Sequence, residues 1–100
     1  MADFEDTAIR QAVVDDLRAR ARRHGLRRVV LFGSRVRGDH RPKSDIDLAV
    51  LGGGTVRFAL EVDEEAPTLL SFDIVDIGKT TSDELRASVE RDGRVLYEEI

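Results

Sequence analysis

Asp45 and Asp47 stand two residues apart at the head of an apolar run, Leu48 to Leu51. In a strand, that spacing turns both carboxylates to one face, about 6.6 Å apart along the chain. Two such groups can share a hard divalent cation such as Mg2+, which takes oxygen ligands and keeps several waters. Asp-x-Asp is common, and a polar strand edge facing water is the plain alternative. Asp73 changes the balance. It lies in LLSFDIVDI, an otherwise apolar strand where a buried carboxylate without a partner would be costly. If that strand neighbours residues 45–51, Asp73 joins Asp45 and Asp47 as a third ligand. Asp76, near the strand's far end, reads instead as a cap or a solvent-facing group. Three carboxylates around two ions roughly 3.5–4 Å apart suit in-line phosphoryl transfer, with Asp73 on the nucleophile-side metal and placed to act as the base.

Gly33 and Ser34 supply the anion side. They stop the apolar run Val29 to Phe32, and ten residues separate Ser34 from Asp45. Glycine allows close backbone approach. Ser34 offers an N–H and a hydroxyl to a phosphate oxygen, and a short helix starting there would add favourable partial charge. Gly-Ser alone says little; after a buried strand, and with Asp-x-Asp on the next strand, it suits a nucleoside triphosphate and its metal. Arg35 and Arg37, close to Ser34, are expected to contact phosphate, for which the guanidinium fork is well shaped. Arg41 and Lys43 read as solvated loop residues, His24 and His40 as surface residues, and Tyr97 as a docking aromatic.

These residues must be positioned by a small set of elements. Residues 8–24 are expected to form a helix, with Thr7 as N-cap, Asp3, Glu5 and Asp6 near its positive end, and Ile9, Val13, Leu17 and Ala21 inward with Ala12 beside them. The arginine cluster at its C-terminal end (Arg18, Arg20, Arg22, Arg23) is either a solvated helix end or a patch facing phosphate or an acidic partner. Strands follow at 27–32 and 45–51, around a possible short helix at 34–38 and a loop at 39–44. Gly52-Gly53-Gly54 allows a reversal. A second helix, capped by Thr55 and turning Val56 and Leu60 inward, with Phe58 and Ala59 as further inward candidates, ends before Pro67. A third strand spans 69–77, and a last helix, 80–92, is capped by Thr81 or Ser82 with Leu85 and Val89 inward and Ala87 as a further inward candidate. Val95 to Tyr97 reads as an extended docking tail. The fold class is α/β (α+β): one small domain, a mixed and mostly antiparallel sheet, helices packed mainly on one face, and a site on the open face.

One hundred residues make one domain. With 41% apolar and 36% charged residues the composition is that of a soluble globular chain. No apolar run approaches the roughly 20 residues that span a bilayer, so no membrane association is expected. There is no cysteine and hence no thiolate zinc site. A cytoplasmic location is the expectation. The net charge of −4 speaks against direct binding of long nucleic acid and suits a basic protein partner.

The stretch FGSRVRGDHRPKSDIDLAV resembles the signature of the DNA polymerase β-like nucleotidyltransferases: Gly-Ser, ten residues, Asp-x-Asp. The Arg-x-Arg-Gly after the serine, the form Ser-Asp-Ile-Asp-Leu and the later FDIVDI are similar to the minimal nucleotidyltransferases, which include MntA-type antitoxins paired with HEPN-domain toxins. The resemblance covers about residues 8–98. It implies that Gly33 and Ser34 hold triphosphate, that Asp45, Asp47 and Asp73 bind Mg2+ (two ions), and that AMP passes from ATP to a hydroxyl, a tyrosine of a cognate HEPN ribonuclease toxin, within a hetero-oligomer. Two further readings stand beside it: a binding antitoxin that acts by occupying the toxin, and an antibiotic-type enzyme, which would need an additional helical domain to hold its acceptor.

Overall fold

A computed structural model describes residues 4–79 and 82–99. A 3-10 turn, Glu5–Thr7, leads into α1 (Gln11–Arg23), β1 (Arg28–Phe32), α2 (Ser34–Arg37), β2 (Ile46–Leu51), α3 (Thr55–Glu65), β3 (Phe72–Asp76), α4 (Asp83–Asp92) and β4 (Arg94–Glu98). The strands form one sheet in the order β3-β2-β1-β4. β1 runs antiparallel to both β2 and β4, while β2 and β3 run parallel. This is the mixed, mostly antiparallel sheet that the pattern of apolar runs implies. None of the helices among the described residues is long and apolar enough to cross a membrane.

Strand alternation sorts the side chains. Val29, Leu31, Ile46, Leu48, Val50 and Leu96 turn to one face, where Val13, Val14, Leu17 and Ala21 of α1 and Phe58 and Val62 of α3 cover them. Val30, Phe32 and Ala49 turn to the other, where Val89 and Leu85 of α4 close over one part of the sheet. One-sided packing therefore describes α1 and α3, and α4 is the exception. It leaves open the end of its face that carries Asp47 and Asp73.

Several local expectations need correction. α1 begins at Gln11, after Ala8 in the left-handed region at φ 60° has broken the chain direction. Thr7 is buried and does not cap it; its hydroxyl donates to the Phe4 carbonyl and accepts from the Ile9 N–H. Ala12 faces solvent and Val14 takes the interior place. In α3 the inward face belongs to Phe58 and Val62, whereas Val56 and Leu60 are 63% and 60% exposed. Both pairs have helical i, i+4 spacing; burying the larger phenyl ring removes more apolar area from water. The C-terminal tail is a full edge strand, with Leu96 as an extra residue bulged between the pairs Val29–Tyr97 and Val30–Val95. Ser82 caps α4, its hydroxyl accepting from the Leu85 N–H. Thr81 and Asp3, the other cap-region residues named above, lie outside the described residues.

The basic end of α1 joins α1 to α3. Glu61 of α3 accepts from Arg20 at 2.6 Å and Arg23 at 2.9 Å, and pairs with His24 at 2.9 Å. His24 is accordingly half-buried rather than a surface residue. The His24 hydrogen bond first, then Arg20 and Arg23, hold the Glu61 carboxyl below its ordinary value of 4.5. A depressed folded-state pKa adds stability above the unfolded value, and that stability is lost as pH falls through the folded one. Glu61→Gln is thus expected to lower the melting temperature at neutral pH. The gap to the parent should close as the pH is taken down past 4.5 in a thermal-denaturation series; a gap that does not change with pH would show that Glu61 acts by packing alone.

Candidate active site

The site begins where β1 ends. Gly33 sits at φ 85° and ψ −158°, a conformation that side chains with a β-carbon scarcely adopt. A β-carbon placed there would overlap the Asp47 carboxylate, so that carboxylate lies directly across the Gly33 backbone. The turn closes when the N–H groups of Val36 and Arg37 donate to the Gly33 carbonyl, both at 3.2 Å. The N–H groups of Ser34 and Arg35 come before the first of these bonds. They belong to the opening turn of α2, whose amides have no intrahelical acceptor. Gly38 and Asp39 then bond back to the Ser34 carbonyl at 2.9 and 3.2 Å and end the turn.

Register brings the acids to this turn. Asp47 on β2 is paired across to Phe32 on β1 and, on its other side, to Asp73 on β3. Asp45 lies just before β2 and, two residues from Asp47, shares its direction. Asp47 is half-buried, while Asp45 and Asp73 are exposed. Burial, followed by the charges of Asp73 and then Asp45, pushes the Asp47 carboxyl above its ordinary 3.8, with Arg37 and Arg35 opposing. Asp76 is held apart from this group: it accepts from the Thr55 hydroxyl at 2.8 Å and the Gly78 N–H at 2.9 Å, the capping part expected of it.

Among the described residues, no three His, Cys, Asp or Glu side chains are gathered closely enough to enclose a metal by themselves. The donor set nevertheless fits a hard divalent cation. It is all oxygen, its members repel one another, and Mg2+ completes its shell with waters and phosphate oxygens rather than an all-protein cage.

Arg35 departs from the expectation that it contacts phosphate. Only 1% exposed, it turns inward. Its guanidinium donates to the carbonyls of Thr7 at 2.9 Å, Ser44 at 2.8 Å and Pro42 at 3.3 Å. It pins the connection between α2 and β2 to the N-terminal turn. Loss of solvent lowers its pKa, and the Asp47 charge counters this. Sequence reasoning missed this role because all three acceptors are main-chain carbonyls. Arg35→Lys is expected to cost about 2 kcal/mol, because one ammonium cannot satisfy three separated acceptors and a buried carbonyl left unpaired costs roughly 1–3 kcal/mol. Chemical denaturation would measure this; an unchanged midpoint would contradict it.

Arg37 is exposed and only loosely engaged by Asp39, at 3.4 Å. Its charge reaches Asp47 and opposes the rise in that carboxyl's pKa. Arg41 and Lys43 are exposed, as expected for solvated positions, but His40 is half-buried rather than at the surface. A cavity of about 390 Å³ under α4, lined by Val30, Ala49, Leu51 and Val89, lies toward the far end of β2 from Asp45 and Asp47 and takes no part in this arrangement.

Comparison with known proteins agrees with this fold. The family described as Polymerase beta, Nucleotidyltransferase matches residues 17–99. A Methanocaldococcus jannaschii protein named as a candidate protein adenylyltransferase is 32% identical over 102 aligned residues, covering 93% of this chain and 98% of that one. A toxin–antitoxin crystal structure with AMP-PNP superposes with a TM-score of 0.69 at 26% identity, covering 86% of this chain and 73% of its own. A tyrosine-to-alanine variant of the toxin–antitoxin MntA–HpeT gives 0.66 at 26% identity, covering 85% and 72%.

Proposed function

From the premise that this chain belongs to the polymerase β nucleotidyltransferase family and is a nucleotidyltransferase, we propose that it moves AMP from ATP onto a hydroxyl of a partner protein, a tyrosine of a cognate HEPN ribonuclease toxin, and so acts as the antitoxin. The observation that carries this reading is the juxtaposition of Asp47 with Asp73 in one register and with the Gly33 backbone beneath it.

Asp45, Asp47 and Asp73 would hold Mg2+, which when bound lowers the pKa of the attacking hydroxyl and neutralises charge on the triphosphate. The chain's own groups do the rest. The Ser34 N–H and hydroxyl, at the opening of α2, hold phosphate oxygens. The Arg37 guanidinium screens the triphosphate. The acceptor oxygen bonds to the α-phosphorus of ATP, the bond from that phosphorus to the bridging oxygen of pyrophosphate breaks, and the hydroxyl proton passes to Asp73. Asp73 is exposed. A small acceptor would have little to hold it there, whereas a protein acceptor brings its own surface, which favours a protein over an antibiotic-type substrate.

The test is to incubate the chain with ATP, Mg2+ and the protein encoded beside it, and to weigh that protein by intact mass spectrometry. Mass increments of one or more AMP units are expected, and none with the double substitution Asp45→Ala and Asp47→Ala. No increment, with inhibition of the partner surviving the double substitution, would replace this reading by a binding antitoxin.

A further inference from the structure

The two edges of the sheet are built differently. β4, on one side, carries the bulge at Leu96 and charged ends, Arg94 and Glu98, devices that discourage a further strand from pairing. β3, on the other, has a regular register with no lysine, proline or bulge; its charges are Asp73 and Asp76, and Asp76 is engaged by the Thr55 hydroxyl and the Gly78 N–H. The Ile46 N–H donates to the Ser71 carbonyl and the Ile77 N–H to the Val50 carbonyl, so odd-numbered residues of this segment point their backbone groups at β2. By alternation, Phe72 and Ile74 point theirs outward, where no described strand meets them.

The surroundings of this edge are equally one-sided. Val56 and Ala59 of α3 share a depression with Ile74 and Asp76, so the exposed flank of α3 adjoins the free edge. Val56 and Leu60 lie on that flank, and Leu69, fully exposed, sits on the approach to β3. Thr55 bonds to Asp76; α3 therefore runs opposite to β3, and its last turns, with exposed Asp63, Glu64 and Glu65, lie toward the end that holds Asp73.

We infer that the free edge of β3 is the docking track for the acceptor protein, which lays an extended, hydroxyl-bearing segment along it as a fifth strand. The inference rests on the nucleotidyl-transfer reading above and names how the acceptor reaches that site. Side chains of the added strand alternate. Those on the α3 side cover Ile74, Val56 and Leu60 and are apolar. Those on the other side fall beside Asp73, about 4.8 Å away at strand spacing, where a hydroxyl can lose its proton to that carboxylate as it attacks ATP. The acids at the end of α3 call for basic residues in the acceptor, and the same acids oppose nucleic acid.

The experiment compares the parent with Val56→Lys/Leu60→Lys, using as substrate the partner protein labelled in the mass measurement. Both positions are exposed, so the melting temperature should hold. The expected result is a rise of about tenfold or more in KM for the acceptor, the loss that removing a contact cluster brings, with kcat at saturation and the affinity for Mg·ATP close to the parent's. Each single substitution should give a smaller rise of the same sign. Val95→Lys on β4, also exposed, should change nothing. An unchanged KM in the double variant overturns the inference and leaves the transfer reading standing. So does a parent dimer that the variant dissolves without change in KM, which would give the edge to a second copy of the chain. If the parent labels no protein at all, the transfer reading itself fails and this inference falls with it.

Discussion

Asp47→Asn is expected to abolish nucleotidyl transfer, by about a thousandfold or more, and at the same time to make the metal-free protein more resistant to heat. The first effect follows from the part assigned to Asp47 in holding the cation; losing several kcal/mol of charge stabilisation multiplies down the rate at tenfold per 1.36 kcal/mol, roughly. The second follows from its surroundings. Burial, then Asp73 and Asp45, hold its carboxyl above 3.8. An acid whose folded value lies above its unfolded one weakens the fold once both have ionised. That penalty is absent below the unfolded value, grows as the pH rises through the folded one, and is complete at neutral pH. Asn removes it. The melting temperature in EDTA at neutral pH should rise, on the order of a few degrees, and the advantage should vanish in acid. Adding Mg·ATP should stabilise the parent and not the variant. A variant that keeps substantial transfer, or melts below the parent in EDTA, would contradict this account of the site.

Gly33→Ala is expected to fail in both respects. Alanine must take a backbone conformation at φ 85° that costs about 1–3 kcal/mol, and its methyl group would occupy the space of the Asp47 carboxylate. Either the turn opens or the carboxylate swings away, and each separates the amides proposed to hold phosphate from the acids proposed to hold the cation. Activity should fall by about a hundredfold or more, since small misplacements at a reacting centre already cost that much. The melting temperature should drop by on the order of 10 °C. A Gly33→Ala protein that binds Mg·ATP and transfers AMP like the parent would show that the contact between turn and carboxylate is incidental.

The comparison of sequence with structure turns on what each residue's partner is. The placement of Gly33, Ser34, Asp45 and Asp47 about one turn was legible because strand alternation and a tight turn leave them few places to go. Asp73 reads in the sequence as a carboxylate buried in an apolar strand; it is exposed, and its place beside Asp47 comes instead from the parallel register of β3 with β2. Arg35 was not legible, because a guanidinium bound to main-chain carbonyls leaves no trace in the identity of the residues it binds. Nor could spacing choose between Phe58/Val62 and Val56/Leu60 in α3, two pairs of equal period; only the room beside α1 and the sheet decides between them. The strand β4 hides in a short apolar run until β1 is known to have an unpaired side.

Arg35 fastens the segment between α2 and β2 by its backbone, at Pro42 and Ser44, and ties it through Thr7 to the N-terminal turn. A segment held this way keeps its shape whatever side chains it displays. The exposed positions Asp39, Arg41 and Lys43 can therefore drift in evolution, or be randomised in a library, with little consequence for the placement of Ser34 and Asp45 on either side. Substitution should be tolerated there and punished at Arg35, a contrast that a deep mutational scan would register as a quiet interval bounded by an intolerant arginine.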